Sequence, residues 1–183
     1  VFVSETSSTC KADPFKVGSF GLGSYATQCE YKDVTITSAN GKTKKVKPGL
    51  FKPVRGAWKV NGSVLAQTSN EQMTVALLPD MNSDDYTGTL KARKTGGSEG
   101  FFVYYGLDSE GRDGYVVNIA GWDNRLTGVQ PVRRGRGDDD MMSAQVPQTV
   151  ENNKWYDIRI VVSPDSTKLY VDGNYNPRHS DVS

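Results

Sequence analysis

The sequence predicts an all-β fold, two antiparallel sheets packed as a sandwich, and three observations carry that reading. Short stretches alternate apolar and polar residues with period two, the spacing of half-buried strands. Glycine-bearing turns separate them at Asn40-Gly41, Asn61-Gly62, Gly96-Gly97, Gly111-Arg112-Asp113-Gly114, Gly135-Arg136-Gly137 and Asp172-Gly173. No stretch shows the 3.6-residue apolar spacing of a helix, so a sandwich is favoured over alternating β and α units.

The elements follow in order. Residues 1–16 (VFVSETSSTCKADPFK) mix Ser, Thr and Pro without periodicity and read as an extended arm, leaving 17–183 as one module. Positions 31–37 alternate Tyr31, Asp33 and Thr35 against Lys32, Val34 and Ile36, and the strand ends at Asn40-Gly41. Lys42, Lys44, Lys45 and Lys47 then form a basic, solvated connection to Pro48-Gly49. In 57–65, Asn61-Gly62 between alternating residues predicts a hairpin with a type I′ turn, which puts Trp58 on a strand. Further strands are predicted at 72–78, 86–93, 99–106, 115–120, 126–132, 154–162 and 168–171, about ten in all.

Two of these show how the faces divide. In 86–93, Tyr86, Leu90 and Ala92 face one way and Thr87, Thr89, Lys91 and Arg93 the other; in 155–162, Tyr156, Ile158, Ile160 and Val162 form a core face opposite Trp155, Asp157 and Arg159. By the same alternation Phe101, Val103 and Tyr105 share a face with Glu99, while Phe102 and Tyr104 point away.

Composition excludes several function classes. Twenty-two basic against 21 acidic residues leave a formal charge of +1, so no overall field recruits nucleic acid. The longest apolar run, within 73–79, is far too short to span a membrane as a helix, while 36% hydrophobic and 10% aromatic residues suffice for a core. A single histidine, His179, excludes a multi-histidine metal site and leaves any Ser-His-Asp triad to one residue beside the chain end. Cys10 and Cys29 read either as a disulfide closing a short loop or as two thiols, with Cys29 buried in its strand; the bridge would point to a secreted, extracellular or periplasmic protein. Val1 opens the chain without a charged and apolar leader, so either a signal has been removed or the chain is a piece of a longer one.

The stretches YTGTLKARKTGGSEGFFVYYG (86–106), GYVVNIAGWDN (114–124), NNKWYDIRIVV (152–162) and KLYVDG (168–173) together resemble the concanavalin-like jelly-roll modules, related in shape to laminin-G domains, that accompany family-51 α-L-arabinofuranosidases. VGSFGLGSYATQCEYKDVTIT (17–37) and WKVNGSVLAQTS (58–69) are similar to strands of the same module, so the likeness covers most of 17–173, either in this order or circularly permuted. The resemblance implies a two-sheet jelly roll, covalently linked to a catalytic domain, that binds a plant cell-wall polysaccharide such as xylan, arabinoxylan or pectic side chains. It implies no catalysis of its own and no required cofactor.

Sugars are held by an aromatic ring stacked on a C–H face and by planar amide, carboxylate or guanidinium groups on the hydroxyls. Asn118, Trp122, Asp123 and Asn124 provide such a set after a strand end, Trp122 being either a stacking platform or a plug folded back on the sandwich. Arg93 and Glu99 flank a predicted hairpin turn and read as a hydroxyl clamp or as a structural ion pair. Tyr25 and Gln28, with Glu30, form a further set, and Tyr105 another, with Tyr104 and Tyr115 as its companions.

The rival readings are a glycan-cleaving enzyme of concanavalin-like fold and a structural spacer. Hydrolysis needs two acids about 5 to 10 Å apart, and no Asp-x-Glu pair lies on one strand face; Asp108-Ser109-Glu110 has the spacing but reads as a turn. Asp108, Glu110 and Asp113, or the acidic run 138–140, are candidate ligands for a structural calcium ion, though turn chemistry explains the first set equally well. The adhesion-like tripeptide Arg136-Gly137-Asp138 reads as loop composition.

Overall fold

The computed structural model describes residues 17–139 and 143–176. The predicted arm and Cys10 lie outside the described residues. Within them the chain forms two eight-stranded antiparallel sheets packed face to face, as the alternation predicts.

The first sheet contains β1 (Ser19–Gly23), β4 (Lys52–Arg55), β7 (Val75–Leu77), β9 (Phe101–Leu107), β10 (Gly114–Ala120), β11 (Leu126–Arg133), β12 (Arg136–Gly137) and β13 (Ser143–Pro147). Its order is β12-β11-β10-β9-β1-β7-β4, with β13 also on β11. The second contains β2 (Thr27–Ser38), β3 (Thr43–Lys45), β5 (Trp58–Asn61), β6 (Val64–Gln67), β8 (Tyr86–Gly97), β14 (Trp155–Val162), β15 (Thr167–Val171) and β16 (Asn174–Asn176). Its order is β16-β15-β14-β8-β2-β6-β5, with β3 also on β2.

Side chains from both inner faces fill the space between the sheets. Phe20, Leu22, Phe101, Val103, Tyr105, Val117 and Ile119 from the first meet Tyr31, Leu90, Ala92, Tyr156, Ile158 and Ile160 from the second. Tyr31 is fully buried and donates its hydroxyl to the Gly23 carbonyl, satisfying a polar atom that the core would otherwise strand. Cys29 is buried beside it, its thiol turned toward the Gly100 carbonyl at 3.6 Å and pushed up to about 12 by burial.

The first sheet buries apolar residues on both faces of β9, and this is why that central strand does not alternate. Phe102 and Tyr104 of β9 leave the sandwich and join Met73, Val75, Leu77, Leu107, Val116 and Val132 in a second cluster on the outer face. Arg55 helps roof that cluster, its guanidinium donating to the Met73 carbonyl and lying under the turn at Gly135.

Two local expectations are corrected. The β5–β6 loop is centred on Gly62-Ser63, with Asn61 opposite Val64 and only Gly62 at positive φ (+60°), so it is a Gly-X loop and not the type I′ turn expected at Asn61-Gly62. The expected hairpin across 94–98 does not form either. β8 runs on to Gly97 between β2 and β14, and residues 98–100 then cross to the other sheet, so Arg93 lies in the second sheet and Glu99 in the crossover that leaves it.

Candidate functional site

The outer face of the first sheet carries a groove of about 530 Å³. Its floor comes from neighbouring strands: Phe102 of β9 pairs directly opposite Asn118 of β10, and Gln130 follows on β11. Its walls come from connections, namely Tyr25 between β1 and β2, Gln72 and Met73 before β7, Glu99 in the crossover from β8, Trp122 after β10, and Arg136, Gly137 and Asp139 beyond β11.

The turn Gly121–Asn124 that presents Trp122 is unusual. Ala120, Trp122, Asp123 and Asn124 all adopt left-handed backbone, at φ of 54°, 49°, 62° and 61°. Non-glycine residues occupy that region only where the surroundings impose it. The far end is imposed by Asn124, whose amide donates to the Val150 carbonyl (3.0 Å) and accepts from the Val150 N–H (2.8 Å). Toward the near end, the backbone N–H groups of Trp122 and Asp123 and the Asn118 amide favour the ionised form of the Glu99 carboxyl.

Glu99 is itself held from both sides. Its N–H donates to Thr27 Oγ1 at 2.8 Å, and at Gly100 a Cβ would lie 2.1 Å from the Ile119 carbonyl oxygen, so only glycine lets the crossover approach β10 this closely. Burial raises the Glu99 carboxyl above the ordinary carboxylate range; the nearby Asp123 charge adds to this, and the three donors oppose it.

Asn118 is 4% exposed. Its Oδ1 is buried without a hydrogen-bond partner. Gly121 lies flat against this amide, where a Cβ would stand 2.2 Å from Nδ2. Gln130 is equally buried and donates through Nε2 to Asp139.

Of the residues singled out in the sequence, the groove brings together Tyr25, Glu99, Asn118 and Trp122. Asp123 is exposed at its edge and pairs loosely with Arg125 at 3.7 Å. Asn124 is consumed by its clip to Val150. Tyr105 is a core residue, 3% exposed and stacked on Tyr115 with ring centroids 5.2 Å apart. Arg93 lies on the other sheet, paired with Glu30 and 4.6 Å from the Trp155 ring centroid, and Gln28 lies on β2 beside Gly96.

Of the calcium candidates, the carboxylates of Asp108, Glu110 and Asp113 have partners in the protein, and Asp140 of the run 138–140 lies outside the described residues. Asp108 Oδ1 accepts from the Glu110 and Arg112 N–H groups, Asp113 Oδ1 accepts from the Arg134 N–H, and Glu110 faces Arg112 at 3.6 Å. These carboxylates close turns, and among the described residues no three acidic, histidine or cysteine groups stand together as metal ligands. The sequence reading missed Gln72, Met73, Phe102, Gln130, Arg136, Gly137 and Asp139. Only the break in alternation at 101–105 signalled that this outer face is built as a surface of its own.

The fold and groove define a β-sandwich domain with a recessed, amide-floored and aromatic-walled face on one sheet. The chain is similar, at 31% identity over 169 residues, to part of an extracellular exo-α-L-arabinofuranosidase of Streptomyces chartreusis. The match takes in 85% of this chain and 19% of that protein, the proportion of an accessory part within a larger enzyme. No family model and no solved structure matches the chain. Among the described residues no helix is long and apolar enough to cross a membrane.

Proposed function

We propose that this chain is a non-catalytic carbohydrate-binding module of jelly-roll type, which holds an attached glycoside hydrolase on a plant cell-wall polysaccharide outside the cell. One observation carries the proposal: Trp122 stands half-buried at the groove wall above a floor whose buried acceptor, Asn118 Oδ1, has no partner in the protein. A sugar ring stacked on the indole supplies the hydroxyl that this acceptor lacks. Tyr25 offers a second ring across the groove, and Asp139 and Arg136 offer polar groups at its far end. The similarity to one part of an extracellular arabinofuranosidase supports hemicellulose or pectic side chains as the ligand class.

Glu99, an acid held above its ordinary range, is the one feature that favours hydrolysis. Two neighbouring backbone N–H groups and an amide favour its ionised form, which suits an ion better than a proton donor to a glycosidic oxygen.

The test is native affinity electrophoresis on arabinoxylan, xylan, arabinan, β-glucan, pectin and cellulose, with reducing-sugar release measured on the same samples. Retardation without release, abolished in Trp122→Ala, is the expected result. Sugar release makes the chain an enzyme, and silence in both assays leaves a spacer.

A further inference from the structure

We infer that Asp139 is a glycan-binding residue of the groove, and that together with Asn118 Oδ1 it makes the groove an acceptor-lined site that selects a neutral glycan over one carrying uronic-acid carboxylates. This role rests on the reading of the groove as a glycan site and narrows its ligand class.

Asp139 is exposed, but its place is set from below. Gln130 of β11, 4% exposed, donates through Nε2 to Asp139 Oδ1. The neighbouring Asp138 N–H donates to the Pro131 carbonyl at 2.9 Å, which ties the chain beyond β12 back onto β11. Gly137 backs the Gln130 amide, where a Cβ would stand 3.3 Å from both its nitrogen and its oxygen. A buried amide thus holds the carboxylate in position and uses one of its about four acceptor sites, leaving the rest open to a ligand.

Asn118 supplies the second acceptor. It pairs with Gly128 while Val116 pairs with Gln130, so the two amides are diagonal neighbours on one face of β10 and β11. That register sets them about 7–8 Å apart. Asn118 Oδ1, buried and without a partner, has no proton of its own to give, and neither has an ionised Asp139. Both are satisfied by a donor. Every free sugar hydroxyl is one, whereas a uronate carboxylate brings only acceptors and a charge.

The charges in the groove point the same way. Glu99 lines its wall, half-buried, and among the described lining residues Arg136 alone is a cation. Arg136 makes no ion pair with Asp139 or Glu99 among the described residues, so it compensates neither acid directly. A uronate entering this recess meets two like charges, and partly buried charges are screened less than those on an open surface.

The test uses polymers that differ only in the carboxylate: glucuronoxylan and polygalacturonate, each native and after reduction of its carboxyl groups to primary alcohols, with arabinan as a further neutral chain. Affinity gels and titration calorimetry are run at low and high salt on wild type, Asp139→Asn, which keeps the shape without the charge, and Arg136→Gln. Wild type is expected to bind a neutral polymer about tenfold or more tighter than any carboxylate-bearing one, with the gap narrowing as salt rises. Asp139→Asn is expected to lose about tenfold on the neutral polymer and to narrow the gap, its thermal midpoint held. Arg136→Gln is expected to keep the wild-type order of preference.

Equal affinity for the two forms overturns the selection, and a preference for the carboxylate form that Arg136→Gln abolishes overturns it in favour of Arg136 as an anion clamp. Unchanged affinity in Asp139→Asn overturns the binding role, as does a lost affinity that comes with a fallen midpoint, because Asp139 is then a brace for Gln130. Trp122→Ala separates these failures from failure of the glycan reading. If Trp122→Ala loses a retardation that Asp139→Asn keeps, only the role of Asp139 falls; if no polymer in either form retards the wild-type protein, the glycan reading falls and the role of Asp139 with it.

Discussion

Trp122 sits at φ 49° and ψ 62°, so replacing it by glycine or by alanine removes the same indole while changing the backbone contribution in opposite directions. Left-handed backbone costs an L-residue about 1–2 kcal/mol that glycine does not incur. Glycine's wider unfolded ensemble costs it about 0.5–1 kcal/mol in return. The balance leaves Trp122→Gly more stable than Trp122→Ala by about 0.5–1 kcal/mol. For a chain of 183 residues that corresponds to about 1–4 °C in thermal midpoint. Scanning calorimetry of the two variants side by side reads the difference, and affinity electrophoresis of the same samples is expected to show both without retardation. An alanine variant as stable as the glycine variant, or more so, refutes the left-handed presentation of Trp122. Retardation of either variant refutes the indole as the stacking platform.

Three further outcomes are expected. Because burial raises Glu99 in the folded state, its contribution to stability is fully present below the unfolded value of about 4.3 and is lost as pH rises through the native value. The midpoint of Glu99→Gln is therefore expected to exceed that of wild type near pH 7 and to converge with it in acid; calorimetry across pH 4–7 reads the slope. Gly121→Ala would place a methyl group 2.2 Å from Asn118 Nδ2, with an expected cost of about 1–3 kcal/mol and a loss of binding; denaturant melts with the same gels check it. Arg93→Ala removes a half-exposed ion pair with Glu30 and a contact with Trp155, so a loss of about 1 kcal/mol with retardation unchanged is expected in the same two assays.

The fold was legible in the sequence because its evidence is local. Alternation in 86–93 and 155–162 assigned Tyr86, Leu90, Ala92, Tyr156, Ile158, Ile160 and Val162 to the inner face, and each is buried. A half-buried strand writes its two environments into alternate positions, and nothing remote is needed to read them. The same rule failed at 101–107, where both faces are covered and every residue is buried. Tyr105 and Tyr104 then look alike in sequence, although one lies in the sandwich core and the other donates its hydroxyl to the Thr74 carbonyl at 3.1 Å on the outer face.

The candidate site was legible only in part, for a related reason. Trp122, Asn118, Glu99 and Tyr25 stood out as residue types, but what unites them is the crossover at 98–100, which carries the chain from one sheet to the other. A Gly-Gly pair between two strands reads as a hairpin, and that reading set Glu99 against Arg93 and on the face of Tyr105. Gly97 at φ +96° instead turns the chain out of β8 against Ala26 and Thr27, and Gly100 lets it pass β10. Asn124 shows the converse limit. An asparagine in a polar loop reads as a ligand group, yet both ends of its amide are taken by Val150, 26 positions away.

The two outer faces make the choice of site a matter of unmet hydrogen bonds. On the second sheet Lys91 is paired with Asp157, Arg93 with Glu30, Lys32 and Arg93 lie 4.2 and 4.6 Å from the Trp155 ring centroid, and Arg159 lies 3.8 Å from that of Tyr170. A sugar hydroxyl arriving there exchanges one satisfied contact for another, and the aromatic faces are already occupied by cations. On the first sheet Asn118 Oδ1 has lost its water and gained nothing, and Trp122 carries no cation on its ring among the described residues. A hydroxyl-bearing ligand stacked on Trp122 recovers the desolvation already spent on that acceptor, about 1–3 kcal/mol for a buried unsatisfied group. An analogue lacking that hydroxyl stacks equally well but leaves the acceptor bare, so discrimination of about tenfold or more between a sugar and its deoxy form is expected from Asn118 alone. Competition gels with paired sugar and deoxysugar monosaccharides on wild type and Asn118→Ala measure it, and equal discrimination by the two proteins would refute the assignment of Asn118 Oδ1.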